Sequence, residues 1–247
     1  MKLTLSASLV AATLLVAGCA NPETESRIQQ LEGRVTQLEA QAKAAPVAAA
    51  GPAAQPAVDP AQEKAAQELF RQANEAVNAM DYDTAKAKLA SLSKDYGTTR
   101  AARMAQRLDE EIGIIGKDGG DLKVENWFQG ETTMASGKAT LIVFWESWCP
   151  HCQREVPNLQ ATWEKYGSQG LNMVGLTRIS KTSTPEKVQE FIKEHGVTYP
   201  MAKEGGDISE RFGVRGIPAA AVVKDGKIVW RGHPAKITPE MIGKWLS

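Results

Sequence analysis

FWESWCPHCQREVP, running from Phe144 to Pro157, is the stretch on which the reading of this chain turns. Upstream of it, Thr140 to Trp145 (TLIVFW) is an unbroken apolar run of the kind buried in a parallel sheet, and Pro150 to Tyr166 reads as a helix. Cys149 and Cys152 therefore stand where a strand hands over to a helix. A cysteine at a helix N-terminus sees unpaired backbone N–H groups and the positive end of the helix dipole, both of which favour thiolate over thiol. The intervening Pro150 and His151 hold the second sulfur within disulfide reach, and an imidazolium at His151 would stabilise the thiolate further. The spacing predicts Cys149 as the exposed attacking sulfur and Cys152 as the more buried one that resolves a mixed disulfide.

Working outward, Leu171 to Leu176 is a second buried strand, so strand, helix and strand imply a right-handed crossover. Thr184-Pro185-Glu186 opens a further helix through His195, with proline at its first turn. Ala219 to Val223 and Ile228 to Trp230 flank Asp225-Gly226, a hairpin signal, and Pro239 to Leu246 is an amphipathic helix. The order is βαβ followed by ββα.

With these elements in place, the segment from Phe144 to Pro157 resembles the active site of thioredoxin-fold thiol:disulfide oxidoreductases, and Glu155 and Pro157 point to the TlpA-like branch that includes ResA and CcmG. The resemblance covers about residues 120 to 247 and implies an α/β thioredoxin-like fold, a central mixed sheet flanked by helices, acting on protein thiols and disulfides without a cofactor. It implies that Glu155 helps manage the proton of the buried thiol. Gly216-Ile217-Pro218 matches the family's cis-proline loop, which faces the cysteines and accepts a substrate backbone as a strand. Pro218 at the entry to an apolar strand fits that place independently, and Trp148 beside the cysteine would shape the docking surface. Val143 stands where thioredoxin itself has a buried aspartate, so proton handling must differ from thioredoxin's.

Other chemistries for the cysteines are weaker. A structural disulfide across so short a loop stabilises little. A structural zinc would need two more ligands from His151, His195 and His233, and covalent haem attachment needs histidine where Gln153 stands. Copper delivery, as in some thioredoxin-fold relatives, stays open on His233 alone.

The N-terminus reads as an address. Lys2 precedes an apolar run from Leu3 to Ala17, short for a membrane span, and the run ends Leu15-Val16-Ala17-Gly18-Cys19. This resembles the bacterial lipobox, which implies a signal peptide over 1–18 and diacylglycerol on Cys19. Several acyl chains suffice for stable anchoring, so the body is expected on the periplasmic side of a bacterial membrane. Ala20 rather than aspartate implies the outer membrane over the inner. Residues 19–60 would then be a tether: Ile28, Leu31, Val35 and Leu38 form a short heptad stripe, interrupted by Gly33, and residues 44–60 hold eight Ala and four Pro. If the stripe within 26–45 self-associates, Ile and Val at one seam position with Leu at the other favour a low-order parallel homo-oligomer; alternatively a partner orders a marginal helix. At about 3.1 Å per residue the Ala/Pro linker reaches roughly 50 Å.

Residues 61–115 predict three short helices, and Leu69 to Gly97 resembles a single tetratricopeptide-like unit. One unit cannot bury a core alone, so it either docks on the domain at 116–247 or recruits a partner. Twenty-nine Lys and Arg balance 29 Asp and Glu, which removes the broad attraction that binding nucleic acid requires. Two functions follow: an anchored oxidoreductase recharged by a separate redox protein, or a scaffold lipoprotein whose redox fold is auxiliary. The direction of electron flow divides the sequence against itself, since TlpA-like proteins generally reduce whereas Pro150-His151 is the dipeptide of DsbA, a strong oxidant.

Overall fold

The computed structural model describes residues 22–44 and 59–247, so the expected signal peptide, Cys19, Ala20 and nearly all of the Ala/Pro linker lie outside the described residues. The chain divides into two compact units, 1–57 and 58–247. In the first, α1 (Pro22–Ala44) is a continuous helix on which Ile28, Leu31, Val35 and Leu38 each leave 50–61% of their surface exposed. Among the described residues no helix is long and apolar enough to cross a membrane.

The second unit opens with three helices, α2 (Pro60–Ala79), α3 (Tyr82–Tyr96) and α4 (Arg100–Ile112). Each starts on an oxygen-bearing cap: Asp59, Asp81 and Thr99 accept from the N–H groups of Ala61, Thr84 and Ala102. Small side chains at Ala66, Ala73, Ala85, Ala101 and Ala105 let the helices close around Leu89, Leu92 and Ile112. Glu63 of α2 fastens α4 by accepting from the N–H groups of Arg100 (3.0 Å) and Ala101 (3.2 Å), a carboxylate on the positive end of a helix. The bundle also rests on the rest of the unit. Met80 packs against the neighbouring core, Lys244 Nζ donates to the Ala79 carbonyl at 3.2 Å, and Ile115 contacts both the helical core and one face of the sheet.

The sheet has six strands in the order β1-β4-β3-β2-β5-β6. At its centre, β2 (Ala139–Trp145) and β3 (Leu171–Thr177) run parallel, joined through α5 (Pro150–Tyr166). α6 (Pro185–Glu194) leads to β4 (Met201–Lys203), parallel to β3, and β1 (Asn126–Gln129) closes that edge antiparallel. After α7 (Asp207–Arg211), β5 (Ala219–Lys224) returns antiparallel to β2 and turns into β6 (Lys227–Gly232). Asp225 (φ 51°) and Gly226 (φ 73°) both take positive φ at that turn, the conformation the Asp-Gly pair predicts. α8 (Pro239–Leu246) completes the fold.

Because neighbouring residues of a strand point to opposite faces, β2 feeds two cores. Leu141, Val143 and Trp145 pack with Val156 and Leu159 of α5, Phe191 of α6 and Trp245 of α8. Ile142 and Phe144 pack on the other face with Val174, Leu176, Ile208 and Phe212. This is an α/β thioredoxin-like fold, a mixed sheet with helices on both faces, preceded by an all-α segment.

Candidate active site

The chain leaves β2 through Glu146, Ser147 and Trp148 and enters α5 with Cys149 as its N-cap. This short turn is held at every residue. The Cys149 N–H donates to the Glu146 carbonyl (3.1 Å), Gln153 Nε2 to the Ser147 carbonyl (2.8 Å), and the Ser147 hydroxyl meets that of Ser183 (3.0 Å). Pro150 sits at the first position of the helix, where its missing N–H costs nothing.

The result aims both sulfurs at one point. Cys149 Sγ accepts the Cys152 N–H at 3.3 Å, lies 2.6 Å from Cys152 Sγ, and is 3.8 Å from the Ile217 carbonyl oxygen. Both cysteines are free thiols. The Ile217–Pro218 peptide bond is cis and Pro218 is buried. Cys152 is fully enclosed, at 0% exposure, as the spacing predicts; Cys149 is buried too, at 4%, where the sequence suggested an exposed sulfur. What covers it comes from far along the chain: the cis-proline loop lies against the thiol. A cavity of about 200 Å³ opens beside the pair, lined among others by Glu146, Trp148, Arg178, Glu204, Gly216 and Ile217. Trp148 is half-exposed there, and its indole N–H donates to the Glu146 carboxylate.

Burial pushes the Cys152 thiol well above the ordinary cysteine range, and its contacts with Cys149 push the same way. Its surroundings include Val143, Trp145 and Val156, an apolar setting with no carboxylate from β2. Glu155, one turn along α5, is buried at 8% and pairs with Arg154 Nε at 3.2 Å. Arg154 Nη2 in turn lies 3.0 Å from His151 Nδ1. Arg154 thus sets a fixed positive charge beside His151, and it is a residue the sequence did not single out. His233 caps the turn after β6 by accepting from the Ala235 N–H at 3.2 Å. Burial lowers its pKa, Glu155 opposes that through space, and His151, Lys236 and Arg154 reinforce it.

The structure thus gathers Trp148, Cys149, Pro150, His151, Cys152 and Ile217 around one point, with Pro218 behind the loop and Glu155 joined through Arg154. His195 lies elsewhere, stacked on Phe191 and bonded through Nδ1 to the Phe191 carbonyl at 3.0 Å. Among the described residues no three His, Cys, Asp or Glu side chains converge to hold a metal ion.

Residues 115–231 match the family model for the AhpC/TSA family. Sporulation thiol-disulfide oxidoreductase A of Bacillus subtilis is 23% identical over 112 residues, 45% of this chain and 68% of that protein. The thiol-disulfide oxidoreductase ResA of Bacillus thuringiensis strain Al Hakam is 29% identical over 147 residues, 53% of this chain and 83% of its own. The chain is a TlpA/ResA-like thioredoxin-fold protein. Some other ResA relatives are covered less, the match to that of Halalkalibacterium halodurans spanning 62% of the relative. Among solved structures, the solution structure of a thioredoxin-like protein in the oxidised form aligns with a TM-score of 0.47 at 27% identity, over 53% of this chain and 95% of its own. In this ResA-like chain the helices of residues 60–112 precede the family match.

Proposed function

We propose that this chain is a membrane-anchored, extracytoplasmic thiol:disulfide oxidoreductase that exchanges disulfides with protein substrates through Cys149 and Cys152. The observation that carries the reading is the meeting of two free sulfurs, 2.6 Å apart, at the start of α5 and against the carbonyl before cis-Pro218. An oxidoreductase of this class is also what the relatives' names support.

As a reductase, the Cys149 thiolate attacks one sulfur of a substrate disulfide. A mixed disulfide forms, and the other substrate sulfur leaves as a thiolate that takes up a proton. Cys152 then loses its proton and attacks Cys149 Sγ, which releases the second substrate thiol and leaves the Cys149–Cys152 disulfide. Two electrons have passed to the substrate, and a separate redox protein restores the dithiol. Run backwards, the same steps oxidise a substrate dithiol. In either direction the substrate backbone would pair with the loop at Ile217 as an added strand, with Trp148 flanking it. Glu155 accepts the Cys152 proton in this scheme.

The couple is expected to be more oxidising than thioredoxin's, about −270 mV, and to lie toward DsbA's, about −120 mV. Its support is the CPHC sequence together with the Arg154 cation beside it. Equilibration of the chain with glutathione buffers, followed by trapping of free thiols, tests both parts. A potential at or below thioredoxin's would reverse the direction to reductase, and absence of a reversible couple would refute the oxidoreductase reading.

For the anchor, the support is the run ending Ala17-Gly18-Cys19. Incorporation of labelled fatty acid that is lost in Cys19→Ser, and recovery with outer-membrane vesicles, are the expected results. The half-exposed Ile28, Leu31, Val35 and Leu38 favour a homo-oligomer through residues 26–45; sedimentation of the chain with Leu31→Glu and Leu38→Glu should then show monomer.

A further inference from the structure

The last helix of the bundle reaches the loop that faces the cysteines. Arg215, three residues before Pro218, forms an ion pair with Glu110 of α4. Beside that pair lies a cavity of about 600 Å³, walled by Arg107, Glu110 and Glu111 of α4 and by Gly216 and Pro218 of the loop. It shares Arg215 and Gly216 with the smaller cavity that holds Trp148.

Arg231 of β6 also lines the larger cavity and is only 6% exposed. Its hydrogen bonds go to main-chain carbonyls: Nε to Phe212 (3.0 Å), Nη1 to Gly232 (3.1 Å) and to Ala220 (3.3 Å). None of these acceptors carries a charge. Burial acts against the guanidinium cation, and the favourable influence on it is the more distant carboxylate of Glu111. A buried cation held only by neutral dipoles is costly, and an anion entering beside it relieves that cost. With Glu110 engaged by Arg215, the cavity keeps Arg107 and Arg231 against Glu111, an excess of positive charge.

A polypeptide that pairs with the loop to bring its cysteine to Cys149 presents successive side chains to opposite sides. One set then meets Trp148 and the other meets α4. We propose that the cavity between α4 and the cis-proline loop is a subsite for an acidic side chain close to the reacting cysteine of the protein substrate. The helical bundle is then part of substrate selection rather than a tether. The inference rests on the thiol:disulfide exchange proposed above and names the substrate class for that same site.

The test uses the full chain and two disulfide-bearing peptides that differ only in Glu or Gln at the positions two and three residues from the reactive cysteine. The readout is the ratio of their exchange rate constants. The acidic peptide should react at least about tenfold faster. Arg107→Glu should bring the ratio at least severalfold closer to one, and Glu111→Gln should raise it; opposite movements of one ratio cannot come from general loss of folding. Equal rates for the two peptides, with both exchanging, would overturn the subsite and leave the redox reading standing. Failure of both peptides and of a small-molecule disulfide to react would instead overturn the redox reading and the subsite with it.

Discussion

Glu204→Gln is the substitution whose cost the structure defines most fully. Glu204 follows β4 and is 3% exposed. Its carboxylate accepts from the N–H groups of Gly206 (2.8 Å) and Ser209 (3.3 Å) and pairs with Arg178 Nε at 3.0 Å, while Arg178 also bonds the Ser209 hydroxyl. One group thus ties the end of β4 to α7 and to the residue after β3, beside the cavity that Trp148 lines. Burial by itself would raise its pKa, but Arg178, Ser209 and the two N–H groups together hold it below the usual carboxylate range. An amide keeps one acceptor oxygen and turns an NH₂ toward donors. Charge-assisted bonds contribute about 1.5–3 kcal/mol each. Because half of the Arg178 side chain stays exposed, its cation can turn to water, so the cost falls short of the roughly 3–5 kcal/mol of a fully buried broken pair. We expect a loss of about 2–4 kcal/mol, or roughly 5–12 °C in Tm for a unit of this size. A carboxylate with a depressed folded pKa contributes its stability above the unfolded pKa, about 4.3, and loses it as pH falls through the lower folded value. In urea titrations the gap between wild type and variant should therefore be full at pH 7 and narrow below about pH 4. Coincident midpoints at pH 7, or a gap that widens on acidification, would refute the reasoning.

Cys149→Ser should reduce turnover of an insulin-type disulfide substrate to background, whereas Cys152→Ser should accumulate a mixed disulfide visible by intact mass; its absence would remove Cys152 from the resolving role. In the reduced chain at pH 8, iodoacetamide should label Cys149 and spare Cys152, since burial that raises a thiol pKa leaves little thiolate at that pH, and equal labelling would contradict it. Glu155→Gln should slow release from the mixed disulfide by about 10²-fold or more, the size of a general-base contribution, and move the rate profile to higher pH; an unchanged single-turnover profile would exclude the role. Leu92→Ala, which truncates a fully buried side chain of the bundle, should cost about 2–4 kcal/mol and lower a single transition of residues 58–247, whereas two separate transitions would show the bundle folding independently.

The elements legible in the sequence were those that carry their own signal. β2 and β3 are unbroken apolar runs long enough to be buried on both faces, α5 and α6 open on proline, and the β5–β6 hairpin has Asp225-Gly226. β1, β4 and α7 were not legible, and their length explains it. β4 has three residues, Met201 to Lys203, and exists because Met201 pairs with Gly175 of β3 on one side and Gln129 of β1 on the other. Local pattern has nothing to say about such a strand. In the site, residue identity at fixed spacing was enough to find Cys149 and Cys152. The burial of Cys149 was not, because it depends on Ile217, 68 residues away. Nor was the bond from Arg154 to His151, which depends on side-chain rotamers on adjacent turns of α5.

These long-range contacts also decide where a proton can go. In the exchange proposed above Cys152 must become a thiolate to resolve a mixed disulfide, yet burial opposes that charge. β2 offers no help, since Val143 faces the same core as Cys152 with no titratable group. Glu146 acts through space, and its negative charge opposes a thiolate at Cys152. In that scheme the proton goes to Glu155, buried on α5 and paired with the exposed Arg154. A guanidinium keeps its protons, so Arg154 gives Glu155 a compensating charge and no path for the proton. The proton that Glu155 accepts in that scheme therefore leaves by way of water at its own carboxylate, 11% exposed, while Arg154 balances the charge that remains.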